Sequence, residues 1–400
     1  MTATAIFVSF RGRGFLLLCG LSALAMVGIV SMYNYPGLIS TNVTRIRLES
    51  YVQYVHHTIH GEDVRAYCSQ DSFSKSFVDS AEQRYRGIKA STDKPIFLAA
   101  NVYNSEAVLP NMVTQLLALA DVLGHDRVFV SIYENGSTDR TKEILRRFNE
   151  TLNEMGIRHS IIAENTTKPA HLHRIEYLAR LRNRALEPFH STGLKFSQVV
   201  FMNDVYFCLS DLLELVFQSH AQGAHLTCAE DYDFYNGGPG FYDTWVARDI
   251  RGEKFKKEMH KISDDDITMV AQMRDRPFQV QCCWNGIAVI DSKVFAGDKG
   301  LRFRRSAKGE CSASECSLMC NDMWHKGFNR MVMVPRVKLT YDLKVRNLLR
   351  QPLYFPGDAP FSDPKVEKIS FRPGPKKVLC NPLNGVDSHH PDGPDEYVNL

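Results

Sequence analysis

The sequence predicts an α/β fold in which a mainly parallel sheet carries helices on both faces. Two observations lead there. From residue 95 to about residue 230, short apolar runs alternate with stretches of helical periodicity, the pattern of repeated βαβ units. Polar groups able to do chemistry stand at the ends of the apolar runs, where open α/β sheets hold their ligands.

The elements follow in order. Residues 96–102 form a short apolar run, a buried-strand candidate. Leu109, Met112, Val113, Leu116, Leu117 and Ala120 then recur at helical spacing, with Pro110 near the start of the helix. Residues 128–133 read as a second strand, 141–155 as an amphipathic helix and 158–163 as a third strand. A helix over 173–186 leads to a fourth strand over 198–203, which ends at Asp204. A helix over 212–217 and a strand over 225–229 follow. Beyond Asp231 the pattern loosens. Residues 236–240 form a glycine-rich loop, 280–290 one strand block, 315–324 a helix and 331–335 a last strand. The tail from Gln351 is rich in proline, glycine and charge, and has little to pack.

The N-terminus indicates a compartment. Residues 15–33 carry no charge and are about long enough to span a bilayer as a helix. Arg11 and Arg13 precede them, and the next positive charge is Arg45, so the positive-inside bias keeps the N-terminus cytosolic. A cleaved signal peptide fits less well, because the run exceeds a usual apolar core and no small-x-small site follows. The expected organisation is a cytosolic tail (1–14), a transmembrane signal anchor (15–33), a stem with a helical lead-in (34–94), a catalytic domain (95–350, in halves 95–230 and 231–350) and a tail (351–400). Asn42, Asn149 and Asn165 head glycosylation tripeptides. Of the ten cysteines, all but Cys19 lie beyond the anchor. In an oxidising lumen some of them should pair, and their odd number leaves at least one thiol over. The Cys311, Cys316, Cys320 spacing also suits zinc, although no regular pair of Cys-x-x-Cys knuckles accompanies it. A net charge of +3 with no basic run sets nucleic acid aside as a partner.

The strand ends suit the parts of a nucleotide sugar. Glu134 can accept hydrogen bonds from ribose hydroxyls or a base N–H. Gly136 and Ser137 lead into a helix whose first amides favour an anion. Arg180, Arg182 and Arg184 can bind a diphosphate through paired N–H donors. Asp204 can hold a divalent metal that bridges the phosphates. Each group also has a plain structural use: a polar turn and helix cap at 134–137, a solvated helix face for the arginines, a strand terminus for Asp204. Their common order and placement favour the nucleotide-sugar reading.

Tyr103, Asn104, Ser105 and Glu106, the stretch from Glu134 through Asp139 to Thr141, and Arg182-Asn183-Arg184 resemble the nucleotide-sugar segments of GT-A glycosyltransferases. The region 96–342 more closely resembles the fungal alpha-1,3-mannosyltransferase family, glycosyltransferase family 69, which includes the cryptococcal capsule-associated enzymes. The stretches FMNDVYFC (201–208), FYDTWVARDIRG (241–252), CCWNGIAVID (282–291) and ECSLMCNDMW (315–324) carry that resemblance. It implies a GT-A-like Rossmann-type mixed sheet. It also implies a type II Golgi membrane protein with a lumenal catalytic domain, using GDP-mannose with a divalent cation, manganese. The product linkage would be alpha-1,3, with configuration retained, on a mannoside or glycan acceptor.

The expected site follows. Tyr103, Asn104, Glu134, Ser137, Asp139, Arg180, Arg182 and Asn183 would bind the nucleotide sugar. Asp204 departs from the usual D-x-D motif because Tyr206 replaces the second aspartate. Asp322 and His325 are candidates for further metal ligands, and their spacing puts them on one helix face. Asp204, Asp231 and Glu315 are the catalytic candidates. Asp233, Trp284 and Asn285 are candidates for sugar or acceptor binding, Trp284 as a stacking platform or as a core residue. Two alternatives stay open: a transferase of the same fold using a xylose or glucose nucleotide, and a non-catalytic lumenal protein that binds glycan or assists its export.

Overall fold

The computed structural model describes Cys68, Tyr85, Ile88, residues 93–349, Val366 and residues 368–400. The expected cytosolic tail, the anchor, most of the stem and Asn42 lie outside the described residues. Among the described residues, no helix is long and apolar enough to cross a membrane.

The first half alternates as expected: β1 (Ile96–Val102), α1 (Leu109–Leu123), β2 (Val128–Asn135), α2 (Thr141–Glu154), β3 (Arg158–Glu164), α3 (Arg174–Ser191), β4 (Gln198–Met202), α4 (Leu209–Gln222) and β5 (Leu226–Tyr235). β1 and β2 are buried almost throughout, so both faces of the sheet are covered here. That burial explains why these strands read as continuous apolar runs rather than alternating ones. α2 buries Ile144, Leu145, Phe148 and Leu152, one stripe at helical spacing, and leaves its charged face outside.

The second half adds β6 (Gly238–Phe241), β7 (Arg248–Asp249), α5 (Asp266–Met273), β8 (Phe278–Cys282), β9 (Ile287–Asp291), α6 (Glu315–His325), β10 (Met331–Thr340), α7 (Leu343–Leu349), β11 (Lys377–Cys380) and β12 (Glu396–Asn399). One mixed sheet runs β3-β2-β1-β4-β9-β5-β10-β8-β7, with β6 on β5. β2, β3 and β4 join the first sheet half in parallel, while β9 lies antiparallel between β4 and β5. β10 is parallel to β5. β1 to β5 and β10 therefore end on one edge of the sheet, and β9 begins there. β5 runs through residue 230, so the two expected halves of the domain share a strand.

The structure differs from the sequence reading in several elements, among them the expected loop at 236–240, most of which is strand β6 paired with β5. The block expected at 280–290 is two strands, β8 and β9, because Asn285 and Gly286 take positive φ (45° and 80°) and turn the chain. β10 runs ten residues, twice the expected length, and continues past Pro335. The end of the chain also packs. β11 and β12 form a hairpin tied by Cys311–Cys380, and Trp245 Nε1 donates to Asn381 O at 2.9 Å. Arg372 pairs with Asp265 at 2.8 Å.

Three further disulfides join Cys68–Cys208, Cys228–Cys283 and Cys282–Cys320, leaving Cys316 as a buried free thiol. No zinc cluster forms from Cys311, Cys316 and Cys320, since two of the three sulfurs are in disulfides to other partners. The one cluster of metal-ligand type among the described residues, Cys311, Cys380 and Glu396, has the same chemistry. Its two sulfurs are bonded to each other, and a disulfide offers no thiolate to a metal.

Candidate functional site

Two loops at the carboxyl edge of the sheet are laced together. After β1, Asn104 takes a positive φ of 49°, its N–H donates to Ser137 Oγ at 2.8 Å and its Oδ1 accepts from Thr138 N at 2.9 Å. Ser105 N donates to Thr141 Oγ1 at 2.8 Å, and Glu106 N to Asp139 Oδ2 at 3.0 Å. Asp139 also accepts from Thr141 N at 3.0 Å. Burial opposes its charge, but these hydrogen bonds outweigh burial and hold its carboxyl below the usual range. Asn104, Ser137 and Asp139 therefore use their polar atoms to fix the loops.

Glu134 is fully buried at the end of β2. Its Oε1 accepts from Ser137 N, while Oε2 has no hydrogen-bond partner and faces Lys142 Nζ at 3.9 Å. An orphaned buried carboxylate oxygen is rare and costs stability unless a donor reaches it. Gly136 turns the chain beside it with φ 87°, and a Cβ there would lie 2.9 Å from Thr166 O. Tyr103 is exposed at the same rim.

The second group sits at the seam where β4 meets β9 and β5. Arg182 on α3 pairs with Glu315, the first residue of α6, at 2.9 Å. Its guanidinium lies 4.5 Å from the Trp284 ring, 5.1 Å from Phe201 and 5.6 Å from Phe303. Asn203 Oδ1 accepts from Trp284 Nε1 at 3.2 Å and lies 3.5 Å from both terminal nitrogens of Arg182. Asn203 Nδ2 donates to the Tyr341 hydroxyl at 3.3 Å, and that hydroxyl points at Asp231 Oδ2 at 3.5 Å. Asn285 Nδ2 donates to Asp231 Oδ1 at 2.7 Å, which also accepts from Asp243 N. Asp204, next to Asn203, accepts from Ser105 Oγ at 3.2 Å. Groups from β4, β5, the β8–β9 turn, α3, α6 and the end of β10 thus form one network.

Burial raises three of its carboxyls, Asp204, Asp231 and Asp243. Asp204 is raised by burial despite the Ser105 hydroxyl and Arg182. Asp231 is lifted to about 8 by burial and then by repulsion from Asp243. Asp243 is raised chiefly by burial. Burial and Asp231 push the Tyr341 hydroxyl well above its ordinary value.

Several expected residues lie elsewhere or are already engaged. Arg180 is exposed and pairs with Glu176 one turn back, because it sits on the solvent face of α3. Asn183 exchanges two hydrogen bonds with the backbone of Phe303, which ties α3 to that strap. Asp322 is held by a bidentate pair with Arg304 at 2.8 Å, and His325 is exposed on the same helix. Both belong to the later turns of α6, while Glu315 at its start belongs to the seam. Trp284 is buried with Arg182 over one face, so it packs instead of presenting an open platform. Glu230 points to the other face of β5 and binds the Tyr232 hydroxyl at 2.6 Å. Asp233 shares the Asp231 face, two residues outward. Asn149 accepts from His159 on α2, while Asn165 is exposed in the loop after β3.

Three members of the network were not singled out from the sequence: Asn203, Asp243 and Tyr341. Tyr341 ends a strand, so the strand-end criterion applied to a longer β10 would have found it. Asp243 reaches the seam by a loop and has no local signal.

A parallel half joined through one acidic seam to a more antiparallel half, with helices flanking the mixed sheet, is a GT-A-like Rossmann-type fold. A family profile described as "Cryptococcal mannosyltransferase 1" matches residues 95–322. The alpha-1,3-mannosyltransferase CMT1 of Cryptococcus neoformans is 32% identical over 345 residues, covering 78% of this chain and 73% of that protein. The chain belongs to this fungal family. Among solved structures, a mannosyltransferase of Pyrobaculum calidifontis in complex with GDP-Man and Mn2+ aligns over 73% of this chain and 68% of its own, at 13% identity and a TM-score of 0.36. TarS of S. aureus aligns over 60% of this chain and 58% of its own, at 15% identity and a TM-score of 0.36.

Proposed function

We propose that the chain transfers mannose from GDP-mannose to a mannoside or glycan acceptor, forming an alpha-1,3 linkage with retention of configuration. The observation that carries this reading is the seam network. Arg182, Glu315, Asn203, Asp204 and Asp231 come from both halves of the sheet and meet at one edge beside the Glu134 loop. The relative's activity supplies the sugar and the linkage.

Each residue then has a task. Glu134, fixed by the Ser137 N–H, shapes the loop that borders the base and ribose of the donor. Of the five guanidinium N–H donors of Arg182, three face Glu315 and Asn203, and the rest are left for diphosphate oxygens. Glu315, locked onto Arg182, holds that arginine in place and is not a free base. Asp231 carries a proton at neutral pH and donates a hydrogen bond to a sugar hydroxyl. Asp233 and the exposed rings of Phe234 and Tyr242 border the acceptor side.

The residues fit a hard divalent cation such as manganese. Asp204 and Asp243 both act electrostatically on Tyr341, buried acids whose charge a cation would relieve. Asp204 would hold it. When bound, it neutralises charge on the departing diphosphate. The working compartment in this reading is the Golgi lumen, with the 15–33 segment as a type II anchor. Four disulfides among the described residues suit an oxidising lumen.

The test incubates the full chain in detergent micelles with a panel of sugar nucleotides and a short mannoside, with and without manganese. Transfer from GDP-mannose alone, dependent on the metal, is expected. Transfer only from a xylose or glucose nucleotide, or none from any, would overturn the proposal.

A further inference from the structure

A cavity lies on the far side of α6 from the seam. It has a volume of about 300 Å³ and is closed by α6, the end of β8 and the β11–β12 hairpin. Glu315 at the start of α6 faces Arg182, whereas Ser317, Leu318 and Asn321 of the same helix face this cavity. The volume matches about ten waters' share of the liquid and reaches the lower end of the range for small-molecule sites.

The lining has a consistent chemistry. Gln281 is fully buried, and its Oε1 has no hydrogen-bond partner although its Nε2 donates to Asn321 Oδ1 at 3.0 Å. Exchanging the amide oxygens and nitrogens of both residues would leave a Gln281 N–H unpaired instead. Either way one buried hydrogen-bonding group of Gln281, a residue that borders the cavity, lacks a partner, and such groups are rare without one. Trp245 borders the same space. Its N–H is committed to Asn381 O, so it offers the cavity only its ring.

The charged groups of the lining are committed elsewhere. Arg248 donates to the backbone oxygens of Leu379, Thr244 and Ala247, and Glu310 pairs with Arg304. What remains is amides, a hydroxyl, an indole face and the His325 imidazole. Amides beside an indole match the alternating hydroxyl and C–H faces of a pyranose ring. Apart from the His325 imidazole, a phosphate or a charged peptide would find no free counter-charge here.

We propose that this cavity is a non-catalytic glycan subsite that binds one neutral pyranose residue of a mannoside acceptor chain. It would hold a distal sugar of a long acceptor while the reacting end lies at the seam. The choice of mannoside rests on the function proposed above, and the experiment separates the two.

Full-length chain in detergent micelles is titrated with a neutral mannotriose by calorimetry, and transfer is measured to methyl α-mannoside and to the trisaccharide. Asn321→Leu removes a polar group at a half-buried position, and Ser317→Trp fills the cavity from the helix surface. Both variants are expected to bind the trisaccharide about tenfold more weakly, the loss of one buried hydrogen bond. KM for the trisaccharide should rise to match, while kcat and KM for methyl α-mannoside stay at wild-type values. Unchanged trisaccharide affinity in either folded variant would overturn the subsite, as would equal losses for both acceptors. Density for water alone in crystals soaked with the trisaccharide would do the same. Failure of mannose transfer by the wild type would instead refute the proposed function.

Discussion

Replacing Arg182 by methionine separates the structural from the chemical role of the seam. The guanidinium is paired with a Glu315 side chain that is only 2% exposed. Removing it leaves a buried carboxylate without its cation, a change that costs about 3–5 kcal/mol in comparable sites. Loss of the contact with the Trp284 face adds about 1–2 kcal/mol, of which the methionine thioether recovers a part. The whole is a large fraction of the roughly 5–15 kcal/mol that holds a domain folded. The companion variant, Arg182→Met with Glu315→Gln, removes both charges, so most of the lost stability should return. Activity should not return, because the diphosphate still lacks its arginine. Urea unfolding of the wild type, both single variants and the double variant gives the stability cycle, and GDP-mannose turnover gives the chemical one. A double variant as unstable as the sum of the singles would refute the buried-pair argument. Recovery of turnover along with stability would refute the role assigned to Arg182 in donor binding.

Other perturbations test the neighbouring parts. Gly136→Ala should raise KM for GDP-mannose and lower stability by about 1–2 kcal/mol, since φ is 87° and the new Cβ would press on Thr166 O; steady-state kinetics and unfolding check both. Asp204→Ala should abolish metal-stimulated turnover with an unchanged circular dichroism spectrum, and retained activity would remove Asp204 as the metal ligand. Asp231 has its folded pKa raised to about 8 from an ordinary 3.8. The folded state therefore keeps a proton that the unfolded chain has released, and stability falls as pH rises from about 4 to 8. Asp231→Asn should gain on the wild type across that window and hold a constant lead above it. Unfolding midpoints at a series of pH values measure this, and a pH-independent difference would contradict it.

The first half of the fold was legible because β1, β2 and β4 are buried almost throughout and its helices alternate with them in regular order. The second half was less so, for reasons visible in single residues. Asn285 and Gly286 break one apolar run into two strands, and nothing in the composition of that run announces a turn. Pro335 suggested the end of β10, yet the ladder to β5 resumes beyond it after a register shift. The C-terminal hairpin is polar and proline-rich, and it packs through a disulfide and backbone hydrogen bonds that no periodicity signals. For the site, strand-end placement pointed to Glu134, Asp204 and Asp231, while Arg182 came from the helix before β4 and Glu315 from the family resemblance; the structure brings Arg182, Glu315, Asp204 and Asp231 to one seam. The sequence could not tell Arg182 from Arg180, because which side of α3 faces the seam depends on packing against α6. Nor could it show that Trp284 would be covered by a guanidinium, or that Asp322 would be taken up by Arg304.

Adjacent cysteines at the end of β8 reach in different directions. Cys283 bonds to Cys228 in β5, and Cys282 bonds to Cys320 in α6. Trp284 and Asn285 follow immediately, so the turn that presents them is pinned to a strand on one side and a helix on the other. The site is thus a product of oxidation as much as of folding. A chain held in a reducing compartment would carry every side chain of the seam but lack the frame that aligns them. Those two bonds hold Trp284 and Asn285 against β5 and α6 together.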